Sequence, residues 1–538
     1  MPEFEVGWID LTVIIGYLVI SRIIPLVAGS RMKKKAKAAG SQSDETTDYF
    51  LGGKNFIWPF IGLSLVATNM SGATFVGLAG GAYHQGISIY AYEWMTTVIL
   101  AIFIFFLLPF YLKSQAFTLP EFLEKRFDTR TRLTFAGFNV FANMFIDMAA
   151  ALFAGAIVVQ VLYPEIPLWV SVAVLALLAA IYTVIGGLAA VMVSDSIQAT
   201  VTIIGGIIVA VATWRAIPSW DAVVQTAGEE RMSLILPADH PELPWPGLLT
   251  GVLVIGLYYW TTNQLVVQRT LSARSLDHGR WGAILAGFIK VAFLFLFIMP
   301  GVMALTLYPD LPNADYVFPT LVFDLLPVGL RGLILAAVIA AITSTVDSIL
   351  NSASTIVTMD FVKTLRPKTP QRTLVLIGRI TTMVALVVAI VWAPFIAQFE
   401  TLYQYLQSVL SYLVPPIVAV FLVAIAWPRM NAKASFLTLI IMQPLGFLMF
   451  LLNEVVGVFH IQFLYAAGVS LVASFLLIIA VSLATTAPDE SKTAELTWKN
   501  RYWTEETERL KGVPMWQNYR VLTWVMLAVT AIIVVIFR

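Results

Sequence analysis

The chain has 538 residues, 59% of them hydrophobic and only 12% charged, with a net charge of +1. Soluble proteins carry about a quarter charged residues, so the composition excludes a soluble fold, and the near-neutral charge offers nucleic acid no surface. Cysteine is absent, which removes disulfides, thiolate chemistry and cysteine-ligated metals. The four histidines form no His-Glu-x-x-His pattern and Gly53-Lys54 is not a phosphate loop, so neither an enzyme nor an ATP-driven pump is expected.

A membrane span needs about 20 apolar residues. In chain order fourteen segments qualify: 8–28, 56–80, 84–111, 133–162, 166–187, 190–216, 246–268, 281–308, 330–359, 373–396, 401–427, 433–454, 460–484 and 520–537. The opening MPEFEVGW lacks the basic region of a signal peptide, so the first segment reads as a retained span. Residues 118–127, TLPEFLEKRF, read as a short interfacial helix, and 492–511 as a charged amphipathic segment at the membrane surface. Numbered alternately from an outside N-terminus, the spans place 28 of the 33 basic residues in inner loops. Only Arg215, Arg231, Arg331 and Arg538 fall outside, and Lys290 lies within a span. Orientation by positive charge demands such an asymmetry. It predicts an all-α polytopic protein of fourteen transmembrane helices, multi-pass in a cell membrane, with both termini outside. The outer segments 218–244 and 308–319 are acidic, with Glu242 and Asp315 among their residues, and read as solvated loops.

Polar and ionisable residues inside spans are costly and mark ion or substrate paths. The second span carries Asn69, Ser71, Gly72 and Thr74 at mid-membrane. This predicts a discontinuous helix, tolerated where it lines a cavity; a glycine-kinked packing helix is the other reading. Glu93 in the third span and Lys290 in the eighth are opposite charges at depth and can pair, directly or through a substrate. Asp147 in the fourth has no evident partner. Asp195 in the sixth and Asp347 in the ninth lack an evident basic partner, and two carboxylates stay ionised if a cation sits beside them. In 341–360, AITSTVDSILNSASTIVTMD, Ser344, Asp347, Ser348 and Asn351 share one helix face. Their oxygens suit a hard cation; close helix packing accounts for the small hydroxyl residues but not for Asp347. Tyr258, Tyr259 and Trp260 lie mid-span beside Asn263 and Gln264. That grouping predicts a pocket in which rings cover the C–H face of a polyol while amides and charges bind its hydroxyls.

These motifs resemble the sodium:solute symporter family, most closely its sodium/glucose (galactose) cotransporter branch. The strings that carry the likeness are YFLGGKN, ATNMSGATFVGLAGGAY, YEWM, TLPEFLEKRF, GGLAAVMVSDSIQ, YYWTTNQLVVQRTLSA, LPVGLRGLILAAVIAAI and NSASTIVTMD. They run in the family's order from Tyr49 to about Trp427. The resemblance implies a LeuT-like five-plus-five inverted repeat. An extra N-terminal helix and basic cytoplasmic loop would occupy 1–55, the first repeat 56–216, an extracellular loop 217–245 and the second repeat 246–427. C-terminal helices with a charged cytoplasmic segment would occupy 428–538. The implied function is sodium-coupled import of a hexose such as glucose or galactose by alternating access, in a bacterial inner membrane, with Na+ as coupling ion. Myo-inositol, sialic acid or a carboxylate are the alternative solutes.

The first sodium site would fall on the carbonyls of Ala67, Met70 and Ala341 and the hydroxyls of Ser344 and Thr345. A second, on Asp195 and Asp347, would make two sodium ions per sugar. The implied sugar site falls on Asn69, Thr74, Glu93, Tyr259, Trp260, Lys290 and Gln407, with Tyr259 as an inner gate. Thr74 stands where Gln or His is usual and Gly256 where Asn is usual; each change weakens or removes a hydroxyl partner.

Overall fold

The computed structural model describes residues 7–38, 54–70, 72–116, 118–182 and 187–538; the side chains of Asp347 and Asn351 lie outside the described residues. All regular structure among the described residues is helical. Helix α1 (Trp8–Ala38) precedes a broken pair, α2 (Trp58–Asn69) and α3 (Gly72–Gln85). There follow α4 (Ile87–Lys113), the short α5 (Leu119–Arg126), α6 (Thr129–Leu162), α7 (Leu168–Tyr182) and α8 (Gly187–Ala216). Next come α9 (Trp220–Arg231), α10 (245–262), α11 (Gln264–Leu271), α12 (Leu276–Leu307), α13 (Val317–Leu325) and α14 (Leu330–Lys363). The chain ends with α15 (Arg372–Gln398), the bent pair α16 (Leu402–Leu413) and α17 (Pro415–Ala426), α18 (Ala432–Val455), α19 (Phe463–Ala484), α20 (Asn500–Arg509) and α21 (Tyr519–Ile536).

Among the described residues ten helices are long and apolar enough to cross a membrane, or twelve if each bent pair is one span. Two segments account for the difference from fourteen. Segment 166–187 is described only as α7, Leu168–Tyr182, residues 183–186 lying outside the described residues. Segment 246–268 is divided: α10 contains two π-helical stretches, Leu248–Val252 and Tyr258–Thr262, and the chain then leaves the helix at Asn263 (φ −78°, ψ 123°).

The discontinuity in the second segment is present, with α2 and α3 bent by 59°. Helix α2 starts with proline in its first turn, where the missing N–H costs nothing. It ends at Met70 (φ −85°, ψ 67°), whose N–H still reaches the Val66 carbonyl at 2.7 Å. Thr74 Oγ1 then donates to the Asn69 carbonyl at 2.6 Å, so a side chain replaces one backbone bond that the break removed. The break at Asn263 mirrors this: its Oδ1 accepts from the Leu265 N–H at 2.9 Å and starts α11 as an N-cap. The bend of 54° between α16 and α17 falls at Pro415-Pro416, two residues that cannot continue a hydrogen-bond ladder.

Helix α2 lies against α12 at a glycine pair. A Cβ on Gly62 would stand 2.8 Å from the Gly282 carbonyl, and one on Gly282 would stand 2.6 Å from Ile61. Small residues at such a crossing let backbones approach closely. The ends of the helices sort into two faces. On one, Asp10 holds Arg331 at 2.8 Å, the Leu234 N–H donates to the Phe537 carbonyl at 2.9 Å, and His84 meets Glu242 and Glu400. On the other, Arg132 pairs with Glu124 and Asp360, Arg280 with Glu506 at 2.7 Å, and Arg509 with Asp277 at 2.7 Å. The short helix expected over 118–127 is present as α5. Its Arg126, 1% exposed, donates to the Ala424 and Trp427 carbonyls, a cation placed on the C-terminal end of α17. One loop expectation is corrected: Asp315 is 1% exposed rather than solvated, because the Leu402 N–H at 2.9 Å draws its carboxylate against the start of α16.

Candidate functional site

A cavity of about 120 Å³ lies where α2, α3, α4, α6, α10 and α16 converge. Six of the seven residues expected at a sugar line it: Asn69, Thr74, Glu93, Tyr259, Trp260 and Gln407. The two helix breaks explain how. At each the chain exchanges backbone bonds for side-chain ones and turns polar groups inward. The Tyr259 hydroxyl crosses to the other broken helix and donates to the Thr68 carbonyl at 3.3 Å. Its ring meets Trp260 edge-on, centroids 6.0 Å apart.

Lys290, the seventh, is fully buried and stands behind the wall rather than in it. Its Nζ donates to Glu93 Oε2 at 2.5 Å and lies 4.0 Å from the Phe293 ring centroid and 5.8 Å from that of Trp260. The pair sits at 0% and 5% side-chain exposure. A buried carboxylate without such a partner is strongly disfavoured, so Lys290 fixes the charge and direction of Glu93.

Two acceptors on the wall have no partner among the described residues: Asn69 Oδ1 and Gln407 Oε1. Buried amide oxygens are nearly always bonded. Both can accept from a group that enters the cavity. Thr74 differs: its hydroxyl already donates to the Asn69 carbonyl, so its first role is to shape the break. Gly256 lines the cavity too.

Three lining residues were not singled out as binding groups by their place in the chain. Asp147 lies in a π-helical stretch, Asn143–Met148, of α6. Tyr92 and Tyr403 meet edge-on at 5.2 Å, near the starts of α4 and α16. The available signal was a polar or aromatic residue inside an apolar run; it does not reveal which face each residue takes.

The sodium-site residues are placed as follows. Ala67 and Met70 belong to the interrupted turn between α2 and α3, and Ala341, Ser344 and Thr345 lie on α14. Thr345 lines the same cavity as Thr68 and Asn69. Thr343 returns its hydroxyl to the Ile339 carbonyl at 2.9 Å, but the hydroxyls of Ser344 and Thr345 make no hydrogen bond among the described residues. Half-buried hydroxyls and helix-break carbonyls are a donor set of hard oxygens, and so fit Na+. Asp195 corrects an expectation. It has a basic partner, Arg269 Nη2 at 3.3 Å on α11, and also accepts from Ser64 Oγ at 2.7 Å on α2. Arg269, counted with an inner loop from the sequence, is 4% exposed. The Asp347 side chain lies outside the described residues.

A profile of the sodium:solute symporter family matches residues 49–441. The sodium/myo-inositol cotransporter 2 of Mus musculus is 32% identical, the match covering 93% of this chain and 80% of that protein. The sodium/glucose cotransporter 1 of Oryctolagus cuniculus is 31% identical over 85% of this chain and 77% of its own length. Among solved structures, a substrate-bound, outward-open Na+-coupled sialic acid symporter superposes with a TM-score of 0.73 at 21% identity, covering 90% of this chain and all of the other. The inward-facing form of Mhp1 gives 0.53 at 12% identity, covering 83% and 96%. These two likenesses are of fold. The protein is a sodium-coupled, multi-pass membrane transporter rather than an enzyme. The family match over residues 49–441, with relatives above 30% identity along most of the chain, places it in the sodium:solute symporter family.

Proposed function

We propose that the protein imports a polyhydroxylated ring, a hexose such as glucose or galactose, with sodium by alternating access. The observation that carries this reading is the pair of unpartnered amide oxygens, Asn69 Oδ1 and Gln407 Oε1, on a wall that also holds Glu93 and Asp147. These are acceptors, and they call for a guest rich in O–H donors. A buried acceptor left unbonded costs about 1–3 kcal/mol, so a solute lacking the matching hydroxyl is discriminated against. Trp260 and Tyr259 supply ring faces and edges against the C–H surface of the guest. Myo-inositol is likewise a ring of hydroxyl donors and is the second reading, favoured by the relatives. A free carboxylate solute is disfavoured by Glu93 and Asp147, since the Lys290 charge is already committed to Glu93.

In this reading the chain crosses the membrane fourteen times, with both termini outside. The contacts of Asp10 with Arg331 and of Phe537 with Leu234, two residues in segments read as outside, support it. The broken helices α2–α3 and α10–α11 occupy equivalent places in the two five-helix repeats, 56–216 and 246–427. The first sodium ion binds the carbonyls of Ala67, Met70 and Ala341 and the hydroxyls of Ser344 and Thr345. Its binding draws the interrupted turn toward α14 and presets Asn69, two residues from Ala67, for the sugar. Coupling is then a difference in sodium affinity between outward and inward states. A second ion at Asp195 and Asp347 requires the Arg269 pair to release the Asp195 carboxylate. Each sodium ion moved through 100 mV gains about 2.3 kcal/mol; two gain about 4.6 kcal/mol, about three decades of solute gradient. Tyr259, bridging to the Thr68 carbonyl, is the inner gate.

The test is counterflow of radiolabelled galactose, glucose and myo-inositol in proteoliposomes, with sodium or choline. Sodium-dependent exchange of at least one of these rings, reduced in Asn69→Ala and Gln407→Ala, is expected. Exchange of sialic acid or acetate with none of the rings would overturn the substrate class.

A further inference from the structure

Beyond Tyr92 and Tyr403 of the cavity wall, three segments converge on one imidazole. His84 lies in the last turn of α3, Glu242 in the segment before α10, and Glu400 just before α16. His84 Nε2 stands 2.8 Å from Glu242 Oε1 and 2.9 Å from Glu400 Oε2, and the three ligand atoms lie within 4.8 Å of one another. A single N–H cannot point at both carboxylates. Among the described residues no Lys or Arg pairs with either one. The cluster therefore holds two carboxylates against at most one positive charge.

Each ligand is also positioned by its own backbone. The Glu242 N–H donates to His240 Nδ1 at 3.2 Å, and its carbonyl accepts from Gln462 Nε2 at 2.8 Å. The Glu400 N–H donates to Gln404 Oε1 at 3.1 Å. The turn after His84 is tight: Gly86 adopts φ +87°, and a Cβ there would stand 2.3 Å from the Arg231 carbonyl. No other residue fits under the outer loop at that point. Side-chain exposures of 34%, 25% and 60% leave room for a water ligand.

We propose that His84, Glu242 and Glu400 are a three-ligand site for a divalent transition-metal cation, Zn2+ being the best fit, and that its occupancy holds this face closed. One imidazole nitrogen, two carboxylate oxygens and a water complete a tetrahedron. Ligands about 2.0–2.2 Å from Zn2+ sit about 3.3 Å apart, so His84 Nε2 and each carboxylate oxygen, now 2.8 and 2.9 Å apart, need to separate by only about half an ångström. The nitrogen ligand selects against Ca2+ and Mg2+, which prefer oxygen. The three segments come from both halves of the chain, and a metal bond between them ties the outer half of the broken helix to α16 and to the loop before α10. The closing effect rests on the alternating-access reading; the binding does not.

Two readouts separate them. Isothermal titration of Zn2+ into the purified, EDTA-treated full chain needs no transport. One equivalent is expected to bind, with Ca2+ giving no comparable heat, and both His84→Ala and Glu400→Gln are expected to weaken binding about tenfold or more. The second variant alters a mostly exposed side chain and keeps the test open if the first does not fold. Absence of stoichiometric binding, equal binding of Ca2+, or binding that survives both substitutions and is lost in His240→Ala would overturn the site. In proteoliposomes, external Zn2+ is expected to inhibit sodium-driven uptake in the unaltered protein and not in Glu400→Gln. Binding without inhibition, where uptake itself is intact, would overturn the closing role alone.

Discussion

Replacing Lys290 by Met removes the ammonium but keeps a chain of similar length against Phe293 and Trp260. The structure sets the magnitude. The Lys290–Glu93 contact is 2.5 Å long, with side-chain exposures of 0% and 5%. Removing one member of such a buried pair costs about 3–5 kcal/mol, most of it from the charge left behind. Thermal unfolding in detergent should therefore fall sharply for Lys290→Met. It should recover in Glu93→Gln/Lys290→Met, where no charge remains. Sugar binding should follow a different order. Glu93→Gln loses a charge-assisted hydrogen bond worth about 1.5–3 kcal/mol, so the sugar Kd should rise by about 10- to 100-fold. The double variant should be stable but equally weak in binding. An unfolding temperature unchanged in Lys290→Met, or a sugar Kd unchanged in Glu93→Gln, would refute the reasoning, because both follow from the ion pair being dry.

Four further outcomes are expected. Ser344→Ala and Thr345→Ala should shift the sodium concentration for half-maximal uptake upward while leaving sodium-free solute binding alone; equal losses with and without sodium would assign these hydroxyls to packing. Asp347→Ala should lower the Hill coefficient for sodium, and an unchanged coefficient would remove it from the sites. Arg269→Gln strips Asp195 of its guanidinium and should destabilise the protein by a few kcal/mol, whereas Asp195→Asn/Arg269→Gln should restore most of that loss. Burial pushes the Asp315 carboxyl up to about 7, against the Leu402 N–H and the His84 charge, which favour the ionised form. A raised carboxyl pKa means the folded protein binds the proton more tightly. Its stabilising contribution is thus complete below the ordinary value near 4 and is lost as pH rises through 7. Unfolding temperatures at pH 5 and pH 8 should differ less in Asp315→Asn than in the unaltered protein, and an equal difference would show that Asp315 does not titrate in this range.

The sequence exposes what depends on periodicity and cost. Runs of apolar residues mark the helices long enough to cross a membrane, ten to twelve of them among the described residues. Asn69 and Glu93 stand out because polarity inside a bilayer needs a reason, and both line the cavity. The break in α2–α3 is legible for the same cause: Asn, Ser and Gly compete with the helix. The break at Asn263 was hidden, since β-branched and aromatic neighbours mask it within an apolar run. Pairing across the fold is not written locally. Arg269 looks like a loop residue until α11 folds back to bring it against Asp195, 74 positions away. Asp315 looks like a loop acid until the start of α16 covers it. Lys290 and Gln407 read alike as polar groups at depth, and only the packing separates the one behind the wall from the one upon it.

The account depends most on sodium binding preparing a cavity for a guest rich in hydroxyl donors. Equilibrium binding of radiolabelled galactose, glucose and myo-inositol to purified protein, in sodium and in choline, addresses this directly. The account predicts that sodium tightens the Kd of at least one ring by about tenfold or more, and that Ser344→Ala removes the difference. Identical ring affinities in the two salts, or a sodium effect that persists in Ser344→Ala, would contradict it.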